Sequence, residues 1–160
     1  MYRVMSEIGV YEAATAAFIT GVAPETQREW RRRGFLPSHD GRHARFTVRD
    51  LCRLRLMRAL VETGFPVSQA IRLVCEDFLD SLQAEVLAVA EPAYVNGFLA
   101  IIAWNGDDIF HVVAWSMNDV AALEKSSGFD FSSFHVIRLQ QIAKDLVARG
   151  IFDHPGQRER

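Results

Sequence analysis

Gly21, Pro24, Gly34 and Pro37 fall within seventeen residues, and this punctuation fixes what the first third of the chain can become. Glycine stops a helix and proline starts or breaks one, so the ten residues from Pro24 to Arg33 have room for one helix of fewer than three turns. Pro24 suits its first position, where the missing N–H costs nothing. Glu25 sits at the positive end of the helix dipole, and Arg31-Arg32-Arg33 at the negative end. Before it, Tyr11 to Thr20 is alanine-rich with helical spacing and stops at Gly21. Two short helices joined by Gly21-Val22-Ala23 are the grammar of a helix-turn-helix.

The next residues extend that grammar. Phe35-Leu36-Pro37 leaves the second helix, and Ser38 to His43 is polar and turn-like around Asp40-Gly41. Ala44-Arg45-Phe46 is placed to close a small hairpin. Thr47-Val48-Arg49-Asp50 has the form of a capping box, with Asp50 in the usual Glu/Gln position. It opens a long amphipathic helix carrying Leu51, Leu54, Met57, Leu60 and Val61 on one face, with Arg49, Arg53, Arg55 and Arg58 over much of the rest. Gly64 ends it. Ser68 is expected to cap a fourth helix bearing Ile71, Leu73 and Val74.

Charge divides the chain. Residues 1–75 hold twelve Arg, no Lys and seven carboxylates, a balance of +5, whereas residues 76–160 balance at −7. The basic half can neutralise phosphates and the acidic half is repelled by them, which points to two tasks.

The second half reads as α+β. Asp77 to Ala90 fits a helix with Phe78, Leu82, Val86 and Val89 on one face, although Val86–Val89 also fits a short strand. Phe98–Trp104 and Ile109–Trp115 are β-favouring runs around Asn105-Gly106-Asp107-Asp108, a strong hairpin signal. Asn118 is expected to cap a short helix through Glu124, with Ser126-Ser127-Gly128 a loop. Ser133–Ile137 reads as a third strand, and Leu139–Ala148 as a last amphipathic helix stopped by Gly150. The hairpin runs scarcely alternate, so both faces of their sheet want cover: one from the last helix, the other from a second subunit or from residues 77–92 folded back. His154–Arg160 is expected to be a flexible polar tail.

Little in the chain suggests catalysis. There is no Gly-rich phosphate loop, GxSxG elbow or HExxH. Cys52 and Cys75 form no CxxC pair and read as buried thiols of a reducing cytoplasm. His111 and His135 read as hydrogen-bonded strand residues, Trp104 and Trp115 as core or interface, and Asp107-Asp108 as a turn. No catalytic residue, metal or cofactor is expected. No apolar run nears the roughly 20 residues of a membrane span, and no signal-like stretch precedes Glu7, so the chain is expected to be cytoplasmic and nucleoid-associated.

The ordered set Thr20-Gly21-Val22, Thr26, Arg28, Trp30, Gly34-Phe35-Leu36-Pro37, Arg45-Phe46-Thr47 and Asp50-Leu51 resembles the MerR family of bacterial transcription regulators, over residues 8–76. The resemblance implies that the second helix enters the DNA major groove and that the hairpin, or wing, lies against the neighbouring backbone or minor groove. It places Arg28 at a DNA-contacting position, Arg42, His43 and Arg45 in the wing, and Trp30 and Phe46 at supporting aromatic positions. Glu25 and Glu29 depart from it, standing where relatives often carry Arg or Lys and Tyr. Gln27 replaces a common apolar residue and is a candidate to read a base edge. Residues 77–92 are too short for the coiled coil by which such activators dimerise. The cysteines of the metal-sensing branch are missing after Cys75.

The fold expected is α+β: a MerR-like winged helix-turn-helix in residues 1–76, a connecting helix in 77–92, a small α+β domain with an antiparallel hairpin in 93–152, and a tail in 153–160. The DNA-binding set is Thr26, Gln27, Arg28, Arg31, Arg32, Arg42, His43 and Arg45. The function expected is a sequence-specific regulator bound to double-stranded DNA as a homodimer, its acidic domain dimerising or taking a protein partner or small ligand. Two alternatives are an excisionase-like architectural factor that binds repeated sites and bends DNA, and an adaptor whose acidic domain recruits another protein.

Overall fold

The computed structural model describes residues 10–36, 45–89, 97–128 and 130–153. The chain divides into two compact units: Met1–Val74 together with Asp145–Arg160, and Cys75–Lys144. This grouping differs from the sequence division at residues 76 and 152, because the chain returns to its first unit at Asp145.

In the first unit, β1 (Tyr11–Glu12) precedes α1 (Ala13–Thr20) and α2 (Pro24–Arg32). β2 (Arg45–Phe46), α3 (Val48–Glu62) and α4 (Val67–Leu73) follow. Tyr11 and Glu12, read in the sequence as the start of the first helix, instead pair antiparallel with Phe46 and Arg45. Pairing in a ribbon satisfies backbone groups that a frayed helix start would leave open. Ile19, Trp30, Phe46, Leu51, Leu54 and Leu60 are among the buried core residues. The capping box is present: the Thr47 amide donates to Asp50 Oδ2 at 2.8 Å, and the Asp50 amide to Thr47 Oγ1 at 3.2 Å. Ser68 does not cap α4; Pro66 holds the cap position and Ser68 lies inside the helix.

The second unit contains α5 (Glu76–Ala88), β3 (Leu99–Asn105), β4 (Asp108–Ala114), α6 (Met117–Ser127), β5 (Ser133–Arg138) and the start of α7 (Leu139–Ala148). The ambiguous segment is helical, and α6 is capped at Ser116 rather than Asn118. Asp119 Oδ2 accepts from the Trp115 and Ser116 amides, each at 2.9 Å. The sheet order is β4-β3-β5, antiparallel throughout.

Pairing register assigns the two sheet faces. Leu99, Ile101 and Ala103 share one face with Ala114, Val112 and Phe110 of β4 and with Arg138, Val136 and Phe134 of β5. α6 covers the β4 side of that face, where Val120 joins Ile101 and Ala114 in a core. The small Ala103 is flanked by Phe110 and Phe134, and the Phe131 ring packs against both, at 5.4 and 5.7 Å. The other face carries His111, Ile102 and His135 in one row. α5 lies on it, with the Phe78 ring edge-on to His111 at 5.5 Å. Glu85, fully buried on α5, accepts the Phe98 amide. Helices of the same chain thus lie on both faces, and no second subunit is needed to cover α5's side. Phe134 and Val136 of β5 stay exposed.

His111 and His135 are not neighbours, because Ile102 of the central strand stands between them. Partial burial holds both imidazoles below their ordinary pKa, while Asp77 pulls His111 back upward. Among the described residues, no group of His, Cys, Asp or Glu could hold a metal ion. Trp115 lies beyond the end of β4, largely exposed, with its ring 4.0 Å from Phe98.

The turn between α1 and α2 requires Gly21, whose φ is 72° and whose added Cβ would lie 1.4 Å from Arg58 Nη1. That guanidinium donates to the Thr20 carbonyl at 3.3 Å, so it cannot withdraw without orphaning the end of α1. Gly21→Ala is expected to destabilise the first unit by roughly 1–3 kcal/mol. Urea unfolding would check this, and an unchanged midpoint would refute the tightness of the turn.

Candidate nucleic-acid interface

The candidate surface is built on α2. At 100° per residue, Glu25, Arg28, Glu29 and Arg32 share an arc of about 100°, and Gln27 and Trp30 point the other way. Gln27 and Trp30 are buried, whereas Arg28 and Arg32 are exposed. The exposed stripe therefore alternates acid and base. Arg28 Nη2 lies 3.3 Å from Glu25 Oε1. Glu29 takes Arg32 on one oxygen and Arg33 on the other, both at 2.6 Å. The hydrogen bond from Arg32, seconded by that from Arg33, holds the Glu29 carboxyl below its ordinary pKa. Exposed pairs of this kind contribute little to stability, so an incoming phosphate can compete for the same guanidinium groups.

The expected contact residues separate into distinct situations. Arg28 and Arg32 project from the exposed stripe, and Thr26 is half-buried beside it. Arg45 is exposed on β2. Arg42 and His43 lie outside the described residues. Arg31 is half-buried, its guanidinium 5.1 Å from the centre of the Phe46 ring. Its Nε and Nη2 are buried and make no hydrogen bond among the described residues. Arg31 thus joins the end of α2 to β2 through a cation–π contact.

Gln27 requires a correction. Expected to read a base edge, it is 1% exposed, and its Nε2 donates to the Val22 carbonyl at 2.8 Å and to the Ala13 carbonyl at 3.1 Å. The amide ties the turn to the start of α1. An apolar side chain at this position would leave both carbonyls to find other donors. The i,i+3 and i,i+4 spacing of Glu25, Glu29 and their arginines could have revealed the ion pairs in advance. No local pattern signals Arg31 over Phe46, fifteen residues downstream.

Two helices crossing at a glycine turn, a ribbon strand and a boxed third helix together decide the domain type, and residues 11–76 match the family model of the MerR HTH regulatory proteins. This segment is a MerR-type helix-turn-helix domain. The family it matches is one of DNA-binding regulators. No curated protein matches the chain. Among the described residues, no helix is long and apolar enough to cross a membrane.

Placement of the MerR-type domain's side chains separates a structural amide from a surface carboxylate. Gln27→Leu is expected to alter the melting temperature while leaving DNA affinity within about twofold of wild type. Glu29→Gln is expected to strengthen binding about threefold at low salt, by freeing Arg32 and Arg33 and removing a repelling charge. Fluorescence anisotropy with duplex DNA checks both. A larger loss of affinity in Gln27→Leu would return that amide to the groove.

Proposed function

We propose that the protein is a sequence-specific, DNA-binding transcription regulator of the bacterial cytoplasm, in which α2 enters the major groove and the segment around Arg42, His43 and Arg45 forms the wing. The observation that carries this reading is the exposed Arg28–Arg32 stripe of α2 on a MerR-type domain. The +5 balance of residues 1–75 supports it as well. Thr26 at the stripe's margin and Arg31 at its end complete the helix contribution. Glu25 and Glu29 make base choice differ from that of relatives with basic or aromatic residues there, since a carboxylate can accept from a cytosine amino group.

Arg28→Ala is expected to lower the ratio of specific to random binding, because a base contact is worth roughly 1–3 kcal/mol. Arg45→Ala is expected to weaken all duplexes alike, because a strand arginine meets backbone. The full chain, titrated across salt on its genomic site, should lose log affinity by roughly 0.9 per phosphate neutralised for each unit of log salt. Salt-independent binding, or an unchanged ratio in Arg28→Ala, would sink the assignment. Footprints over direct repeats, rather than one dyad, would favour the architectural alternative.

The acidic unit is proposed to make the homodimer, through the part of residues 93–150 that belongs to it, up to Lys144. Support comes from Phe134 and Val136, exposed together on one face of the edge strand β5. Dyad DNA sites favour a two-fold protein. Light scattering should give a dimer at micromolar concentration, and Val136→Glu should shift it to monomer without lowering helicity. A monomeric wild-type chain would refute the dimer, and a dimeric Val136→Glu would move its interface elsewhere.

A further inference from the structure

The first unit includes residues from Asp145 onward, to which the chain returns after the second unit. The Tyr11 hydroxyl, on a residue only 2% exposed, donates to the carbonyl of Ile151. Ile151 and Leu146 are fully buried. The Ile151 amide returns to the Leu146 carbonyl at 3.2 Å, around a turn in which Gly150 has φ 83°. Two further ties precede this point. Asp145 Oδ2 takes Arg55 Nη2 at 3.3 Å, and Arg149 Nη1 donates to the Phe18 carbonyl at 3.2 Å.

Tyr11 is also half of the two-residue ribbon, paired with Phe46, while Glu12 pairs with Arg45. Phe46 carries the Arg31 guanidinium. A continuous series of contacts therefore runs from Ile151 through Tyr11 and β2 to the end of α2. A strand of two residues has too few ladder bonds to hold its own position, so its anchors set where Arg45 points.

We propose that residues 145–153 form a clasp that positions β2, and with it Arg45 and Arg31, for DNA. The consequence for DNA rests on the functional reading above; the clasp itself does not. The segment touches no nucleic acid. It acts by fixing the carbonyl that receives Tyr11, while Asp145 at its start and Arg149 at its middle tie it to α3 and α1. Release of the clasp loosens β2 without dismantling the packing of α1, α2 and α3, and the arginine of β2 then loses its phosphate.

The test uses the full chain with Tyr11→Phe, which removes one oxygen and leaves the ring in place, and Asp145→Asn, which weakens a tie outside the core. Amide hydrogen exchange at Arg45 and Phe46 should quicken about tenfold in Tyr11→Phe, the scale of one buried hydrogen bond, while α3 stays protected. On a mixed-sequence duplex, affinity should fall about fivefold, and the salt slope should become shallower by about one phosphate, matching Arg45→Ala. Lower stability alone would reduce the folded fraction and leave the slope as it was. Asp145→Asn should move the same readouts in the same direction, less far. Unchanged exchange at β2, or exchange that rises equally in α3, would overturn the clasp. Faster exchange at β2 with an unchanged salt slope would overturn its role in DNA contact. If the wild-type chain bound no duplex, the DNA reading would fail instead, and the exchange measurement alone would judge the clasp.

Discussion

The first unit depends on how the carbonyls at the end of α1 are answered. A helix leaves its last carbonyls without internal partners, and here the chain passes into α2 after only three residues. Gly21 supplies a left-handed residue whose amide closes on the Ala17 carbonyl at 2.8 Å. Arg58 takes the Thr20 carbonyl, Arg149 the Phe18 carbonyl, and Gln27 the Val22 carbonyl. Three side chains from three different parts of the sequence thus converge on one turn. Each of these carbonyls has a donor where the chain turns from α1 into α2.

That arrangement also explains how the arginines are divided. Twelve arginines in the first half suggest a uniformly phosphate-seeking surface. Arg58 closes a helix end and reaches Glu62 at 2.6 Å, and Arg55 lies between Asp145 and Glu62. Arg31 stacks on Phe46. The cations of the exposed stripe, Arg28 and Arg32, are each held beside a glutamate. A surface that already carries its own counter-charges binds random phosphate less indiscriminately than a bare arginine patch would. In the proposed DNA complex, preference would then rest more on geometry at the bases than on total charge.

Much of this was legible in the sequence where the signal was local. Gly21, Pro24, Gly34 and the Thr47–Asp50 box mark helix ends by backbone chemistry, and those helices stand within a few residues of where the pattern puts them. Asn105-Gly106 likewise marks the hairpin, whose closing pair is Asn105 with Asp108. What was not legible depends on partners remote in sequence. Tyr11 looks helical beside its alanines until Phe46 offers it a ladder. Gln27 looks like a surface amide until the carbonyls of Ala13 and Val22 claim it. Ser68 and Asn118 are good caps, yet Pro66 and Ser116 take those positions because the preceding chain enters there.

The longest of these ties has a consequence for folding. The Tyr11–Ile151 hydrogen bond joins residues 140 positions apart, and between them lies the whole of the second unit. On a ribosome the helix-turn-helix emerges early, but the residues that satisfy the Tyr11 hydroxyl and the Phe18 carbonyl emerge only after the second unit. α1, α2 and α3 can pack from local contacts, which form quickly. The tie from Tyr11 to Ile151 has to wait for closure of a loop that contains the second unit. The tie that anchors β1 and β2 to Ile151 therefore forms only after the second unit has been synthesised, whereas α1, α2 and α3 can pack before it.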